Sequence, residues 1–173
     1  MHPLNKFKYC PICGSSHFEE QDEKSKRCNE CGFEYYMNPS SANVALILNE
    51  KEELLVVRRE KEPAKGTLDL PGGFADIGET SEQGVIREVK EETGLNVKKV
   101  RYLFSIPNKY RYSDFDIPTL DMFYLCQVDD FTSLKAMDDA SEVKWIAIKD
   151  IHPKQFGLKS IQQGLIQFIK KMP

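Results

Sequence analysis

The chain has 173 residues, 40% of them hydrophobic by type, and a formal net charge of −3. That length suits one ordinary domain with a small appendage, and the mild charge excludes a strongly basic nucleic-acid binder. No apolar run approaches the ~20 residues of a membrane span. The opening MHPLNKFKYC lacks the apolar segment of a secretion signal. The expectation is a soluble cytoplasmic protein with no membrane partner.

Cysteines come first along the chain. Cys10 and Cys13 sit in CPICG, Cys28 and Cys31 in CNECG, and fourteen residues separate the two pairs. Two CxxC knuckles at about this spacing suit a zinc ribbon, in which four thiolates hold one tetrahedral ion and each glycine allows a tight turn. Two disulfides or free thiols are the alternatives, and the missing secretion signal disfavours disulfides. Cys126, in the apolar run MFYLCQV, reads as a buried small hydrophobe. Around the knuckles Lys6, Lys8, Lys24, Lys26 and Arg27 face Glu19, Glu20, Asp22, Glu23, Glu30 and Glu34. That balance lacks the basic excess of a phosphate-binding surface, so the ribbon is expected to be structural, with no nucleic-acid partner.

Beyond Pro39 the pattern changes to strands and helices. Residues 42–49, 54–59, 99–106, 119–128 and 142–148 are apolar, β-branched runs that predict strands. Ile161, Leu165, Phe168, Ile169 and Met172 recur at helical spacing near the end. The domain division expected is 1–38 for the ribbon and 39–173 for an α/β sandwich.

One helix is marked at both ends. Thr80 with Gln83 makes a capping box and Gly94 a C-terminal cap, which predicts a helix over 81–93. Val85, Ile86 and Val89 share the arc expected to face the sheet. Glu88, Glu91 and Glu92 share an adjacent arc, and Glu79 joins them from upstream. Carboxylates crowded near a helix C-terminus repel the dipole and one another. They are either a solvated face neutralised in part by Arg87 and Lys90, or hard oxygen ligands for Mg²⁺ or Mn²⁺. The preceding LPGGF, where backbone approaches a ligand closely, favours the second.

The stretch from Gly73 through Glu79 to Arg87-Glu88-Val89-Lys90-Glu91-Glu92-Thr93-Gly94-Leu95 resembles the Nudix box. With CPICG, CNECG and the following YYMNPS, it is similar to the zinc-ribbon members of the Nudix family that cleave NADH. The resemblance implies a Nudix α/β/α sandwich with a mixed sheet after a small ribbon. It also implies hydrolysis of a nucleoside diphosphate linked to another moiety, at the pyrophosphate. By motif position Glu88, Glu91 and Glu92, with the Gly73 carbonyl, match the Mg²⁺ or Mn²⁺ ligands. Glu88 is also the candidate for activating water, and Arg87 resembles the arginine that positions the carboxylates. A later acidic residue, Asp138, Asp139 or Glu142, is expected to assist, and a small-molecule nucleotide and a homodimer follow from the family.

Relatives that cleave NADH carry an SQPWPFPxS-like segment after the box. Here SIPNKYRYSDFDIPTLD keeps Ser105 and Pro107 and lacks the tryptophan and the second Pro-Phe-Pro. Arg58, Tyr110 and Tyr112 are candidate substrate contacts, the rings either stacking on a base or packing a strand pair or a dimer contact. The expected substrate is ADP-ribose-like, with NAD(H), a dinucleoside polyphosphate or a nucleoside triphosphate as alternatives. A non-catalytic nucleotide sensor on the same fold is the alternative of another class.

Overall fold

A computed structural model describes residues 2–171. Met172, expected in the closing helical pattern, lies outside the described residues. Three short strands, β1 (Phe18–Glu20), β2 (Ser25–Cys28) and β3 (Glu34–Tyr36), form an antiparallel sheet around the cysteines. After them come β4 (Ser40–Leu46), β5 (Glu53–Arg59), β6 (Leu68–Asp69) and β7 (Gly72–Phe74). Helix α1 (Ser81–Thr93), the long strands β8 (Lys99–Tyr112) and β9 (Phe115–Gln127), β10 (Ala140–Ala147) and helix α2 (Lys159–Lys171) complete the chain.

Two sheets build the larger layer. One has the order β7-β4-β9-β8, with β4 and β9 parallel and the other pairs antiparallel, so it is mixed. The second is β10-β5-β6, wholly antiparallel. A backbone bond from Leu55 N to Ile47 O joins them.

The period-2 alternation of strands explains why helices cover both faces. Val44, Leu46, Leu54 and Val56 belong to one buried cluster, which α2 closes with Ile161, Leu165 and Phe168. Ala45, Ile47 and Leu55 belong to the other, closed by Val85 and Val89 of α1. Strands buried on both faces read as continuous apolar runs, as 44–47 and 54–57 do.

Helix α1 starts and stops where its caps require. Thr80 accepts from Gln83 N, the Gln83 side chain accepts from Thr80 N, and Gly94 takes a left-handed φ of 73°. Ile86 does not share the buried face as expected and is 39% exposed. Gly84, Val85, Val89, Glu92 and Thr93 are buried instead. The buried arc is thus rotated toward the carboxylates, which draws Glu92 inward. Among the described residues no helix is long and apolar enough to cross a membrane.

Gly164 shows which force governs α2. A Cβ there would lie 2.3 Å from Phe123 Cε1, and Phe123 is fully buried. Helix propensity alone favours Gly→Ala by about 1 kcal/mol, whereas overpacking costs about 1–3 kcal/mol. Gly164→Ala is therefore expected to lower the urea midpoint despite its better propensity, and an unchanged or raised midpoint would show that α2 is not seated this closely.

Candidate active site and cysteine centre

The four cysteines converge. Cys10 and Cys31 sulfurs are 3.6 Å apart, as are those of Cys13 and Cys28, and all four lie within 4.8 Å of one another. Each knuckle turns through a glycine at φ 75°, with Gly14 N bonding Cys10 O and Gly32 N bonding Cys28 O. Backbone N–H groups of Cys31 and Glu30 aimed at Cys28 bring its thiol down to about 6. Phe18 and Phe33 pack beneath the sulfurs. Among the described residues this is the sole group of three or more His, Cys, Asp or Glu with ligand atoms so close.

The second site is a cleft of about 770 Å³ between α1, β7 and the long hairpin of β8 and β9. Gly72 and Gly73 let its floor form. A Cβ at Gly72 would lie 2.0 Å from Asn43 O, and one at Gly73 would lie 2.5 Å from Glu88 Oε1. No side chain other than hydrogen fits either position without moving β4 or displacing Glu88.

Arg87 organises the rim. Its guanidinium bonds Glu79 Oε1 at 2.8 Å, and Glu88 Oε1 and Glu91 Oε2 at 2.9 Å each, with Asp76 Oδ2 at 3.3 Å. It also donates to Phe74 O at 3.0 Å, tying the helix to β7. The hydrogen bonds from Arg87, with one from the Asp76 backbone N–H, hold Glu79 below the usual carboxylate range. Burial raises Glu88 in spite of the same arginine. Glu92 is 7% exposed, accepts one bond from Gly72 N at 3.0 Å, and faces Asp69 and Glu88 rather than a cation. Desolvation, only partly offset by that N–H, pushes its carboxyl up to about 8.

Most of the expected site residues line this cleft: Gly73, Arg87, Glu88, Glu91, Glu92, Tyr110 and Tyr112. Arg58 does not. Its Nε bonds Glu142 Oε2 at 2.8 Å and its Nη1 bonds Gly66 O at 2.7 Å, outside the cleft. Strand alternation puts its neighbour Arg59 inside instead, where it pairs with buried Asp69 at 2.5 Å and donates to the Tyr110 hydroxyl at 3.2 Å. Sequence reasoning missed Arg59 and Asp69, and the RR pair at 58–59 shows that one cation must face inward without showing which. It also missed Asp121, which is 4% exposed and accepts from Thr119 Oγ1 at 2.6 Å and Asn108 Nδ2 at 3.1 Å. Of the late acidic residues, Asp138 and Asp139 line the cleft, whereas Glu142 is turned away toward Arg58.

The NUDIX domain family model matches residues 37–167. The chain is similar to the NAD-capped RNA hydrolase NudC of Vibrio parahaemolyticus, at 28% identity over 88% of this chain and 55% of that protein. It thus spans about half the length of such relatives. It is also similar to the ADP-ribose pyrophosphatase of Methanocaldococcus jannaschii, at 34% identity over 75% of this chain and 74% of that one. A NUDIX hydrolase structure from Nitrosomonas europaea superposes with a TM-score of 0.72 at 21% identity, over 95% of this chain and 91% of that chain, and so shares its fold. Residues 37–167, with their capped carboxylate helix and Gly-Gly floor, make this chain a member of the Nudix family.

Proposed function

We propose that the chain is a divalent-cation-dependent pyrophosphohydrolase acting on a nucleoside diphosphate linked to a second group, with ADP-ribose as the favoured kind of substrate. The observation that carries the reading is the cleft that joins the Arg87 carboxylate cluster to the aromatic residues Tyr110 and Tyr112. Similarity to an ADP-ribose pyrophosphatase supports the substrate class. The boundaries 1–38 and 39–173 accompany it, since β3 ends at Tyr36 and β4 begins at Ser40.

The donor set suits Mg²⁺ or Mn²⁺. Glu92 is a desolvated carboxyl group facing other acidic side chains, and the missing side chain at Gly73 leaves Glu88 against bare backbone. Glu88, Glu91 and Glu92 with the Gly73 carbonyl would hold the ions, which when bound supply positive charge against the phosphate oxygens and acidify a neighbouring water. Glu88 accepts the proton of the attacking water, Arg87 keeps Glu88 and Glu91 in register, and Tyr110 and Tyr112 grip the base. Asp138 or Asp139 is the assisting acid. At the other centre four soft thiolates suit Zn²⁺, in a structural role.

A second reading is an NAD(H) end or an NAD-capped RNA, supported by the similarity to NudC. On that reading a nucleic acid enters as substrate, against the expectation drawn from charge. A substrate panel with product identification at saturating Mg²⁺ decides between them. The ADP-ribose reading expects its kcat/KM to exceed that of NADH, because the segment at 105–121 lacks the Trp-Pro-Phe-Pro portion. NADH as the best substrate overturns that preference. Binding without any turnover would favour the sensor.

Glu88→Gln and Glu92→Gln are expected to lower kcat by about 10²-fold or more with the fold intact, as loss of one group in a charge-stabilising site does. Near-wild-type turnover by both variants removes the assignment.

Stability of the chelated protein gives a pH test. Glu92 has a folded pKa of about 8, raised from 4.5. The folded state therefore keeps a proton that the unfolded chain releases, and the resulting stability is present below pH 4.5 and lost as pH rises through 8. Metal-free wild type should lose on the order of a few kcal/mol across that window, and Glu92→Gln should lose less. Equal slopes in urea titrations of the two proteins contradict the account of Glu92.

Elemental analysis tests the cysteine centre. One zinc per chain is expected to survive mild chelation that stops turnover reversibly, because thiolates retain a soft ion more strongly than carboxylates retain Mg²⁺. Protein prepared with care and free of zinc overturns the ribbon reading.

A further inference from the structure

The segment just ahead of the first cysteine knuckle touches the hairpin that carries the two cleft tyrosines. Lys6 Nζ donates to Asp114 O at 2.5 Å, at the tip of that hairpin. The Phe7 ring lies 5.7 Å from Phe115, tilted by 59°, and stacks on Tyr35 of β3 at 6.2 Å. The Phe7 carbonyl accepts from Lys26 Nζ at 2.7 Å. Lys26 is 6% exposed, and its ammonium sits 5.4 Å from the centre of Phe18, the ring packed with Cys10 and Cys28. Contacts therefore run unbroken from the cysteine core through Lys26 and Phe7 to the hairpin tip.

The tip needs such support. Ser113 and Asp114 both take positive φ, 47° and 58°. A two-residue turn of that shape favours Asn-Gly, and Ser-Asp is a poor sequence for it. Arg111 bonds the side chains of Asp114 and Asp116, but all three are solvent-exposed, and exposed pairs contribute little. The outside contacts fall at the critical place. Phe115, on which Phe7 packs, is the direct cross-strand partner of Tyr112, and Ile117 is the partner of Tyr110. Directly opposed residues fix one another's position on a sheet face.

We propose that Lys6 and Phe7 are positioning residues for substrate: they strap the hairpin tip to the cysteine lobe and so hold Tyr112 and Tyr110 at the cleft. The strap touches neither the carboxylate cluster nor the bond to be cleaved, so it acts on binding. The proposal rests on the reading of the cleft as a nucleotide site.

The test uses the full chain with its metals and the variants Phe7→Ala, Lys6→Ala and Phe7→Tyr. Hydrogen exchange of the backbone over 109–117 reads the hairpin directly, because amides freed from tertiary support open more often. Faster exchange there is expected in both alanine variants, with the α1 amides unchanged. For ADP-ribose, Phe7→Ala should raise KM by about 5-fold with kcat within about 2-fold, the mark of lost ground-state binding. Phe7→Tyr, which keeps the ring, should restore both readouts. Unchanged exchange at the tip overturns the proposal, as does a loosened tip with KM unmoved. If the wild-type chain does not cleave ADP-ribose, the substrate reading has failed by itself. ADP affinity by calorimetry then replaces KM, and equal Kd values for wild type and Phe7→Ala overturn the strap.

Discussion

One guanidinium, that of Arg87, meets four carboxylates, and the arrangement of the cleft follows from that imbalance. Glu79, Glu88, Glu91 and Asp76 all lie within salt-bridge distance of it, and it also bonds the Phe74 carbonyl. A planar fork with five donors is suited to this, since several acceptors are satisfied at fixed angles by one rigid group. The local charge nonetheless stays negative by three, counting four carboxylates against one cation. Glu92 adds a carboxyl group at greater depth, facing Asp69 and Glu88 instead of a cation. Arg87 therefore sets the geometry of the acidic cluster and leaves most of its charge uncompensated. That excess at a solvent-reachable cleft is what a divalent cation would relieve.

The same cluster shows what could be read from the sequence. Both ends of α1 were legible because caps act locally: Thr80, Gln83 and Gly94 need only their own backbone neighbours. The spacing of Glu88, Glu91 and Glu92 on one arc was legible for the same reason. Ile86 was misjudged because which arc is buried depends on the partner surface. Here Gly84 packs close, a Cβ there falling 2.4 Å from Asn43 Nδ2. The helix is rotated by what it can approach and not by hydrophobicity alone. The choice of Arg58 over Arg59 failed at the same level. Alternation guarantees that the two point apart, but only the pairing of β5 with β6 and β10 decides which of them meets Asp69.

The long hairpin was only half legible, for reasons of sheet topology. Pro107 ends the apolar run 99–106, and a proline argues against a central strand. Yet β8 lies at the edge of its sheet, where one side of the strand carries no ladder and a proline is tolerated, and it runs on to Tyr112. Pro118 is tolerated in β9 because pairing with β4 begins only at Thr119. Ser113–Asp114 carries no strong hairpin signal either. The segment expected to recognise the substrate is thus a two-stranded arm extending beyond the body of the sheet. An isolated pair of strands is marginal by itself in water. The arm is held at its base by Phe74 and Arg59, which meet Tyr110, and at its tip by Phe7 and Lys6.

That geometry couples the two halves of the chain in a way that neither motif announces. The cysteine knuckles are self-contained: their glycine turns and the Phe18–Phe33 pair need nothing from the cleft. The carboxylate helix is equally self-contained, tied to β7 by Arg87. The hairpin meets both, through Lys6 and Phe7 on one side and the cleft on the other, and it bears the aromatic residues Tyr110 and Tyr112. Division of labour follows from the softness of the ligands and from these contacts together. Sulfur ligands suit an ion that stabilises a fold, oxygen ligands suit ions that exchange water and meet phosphate, and on the proposed reading the arm between them orders the part of the substrate that does not react. On that reading, a lobe whose cysteines suit a structural ion still affects how tightly a nucleotide is held.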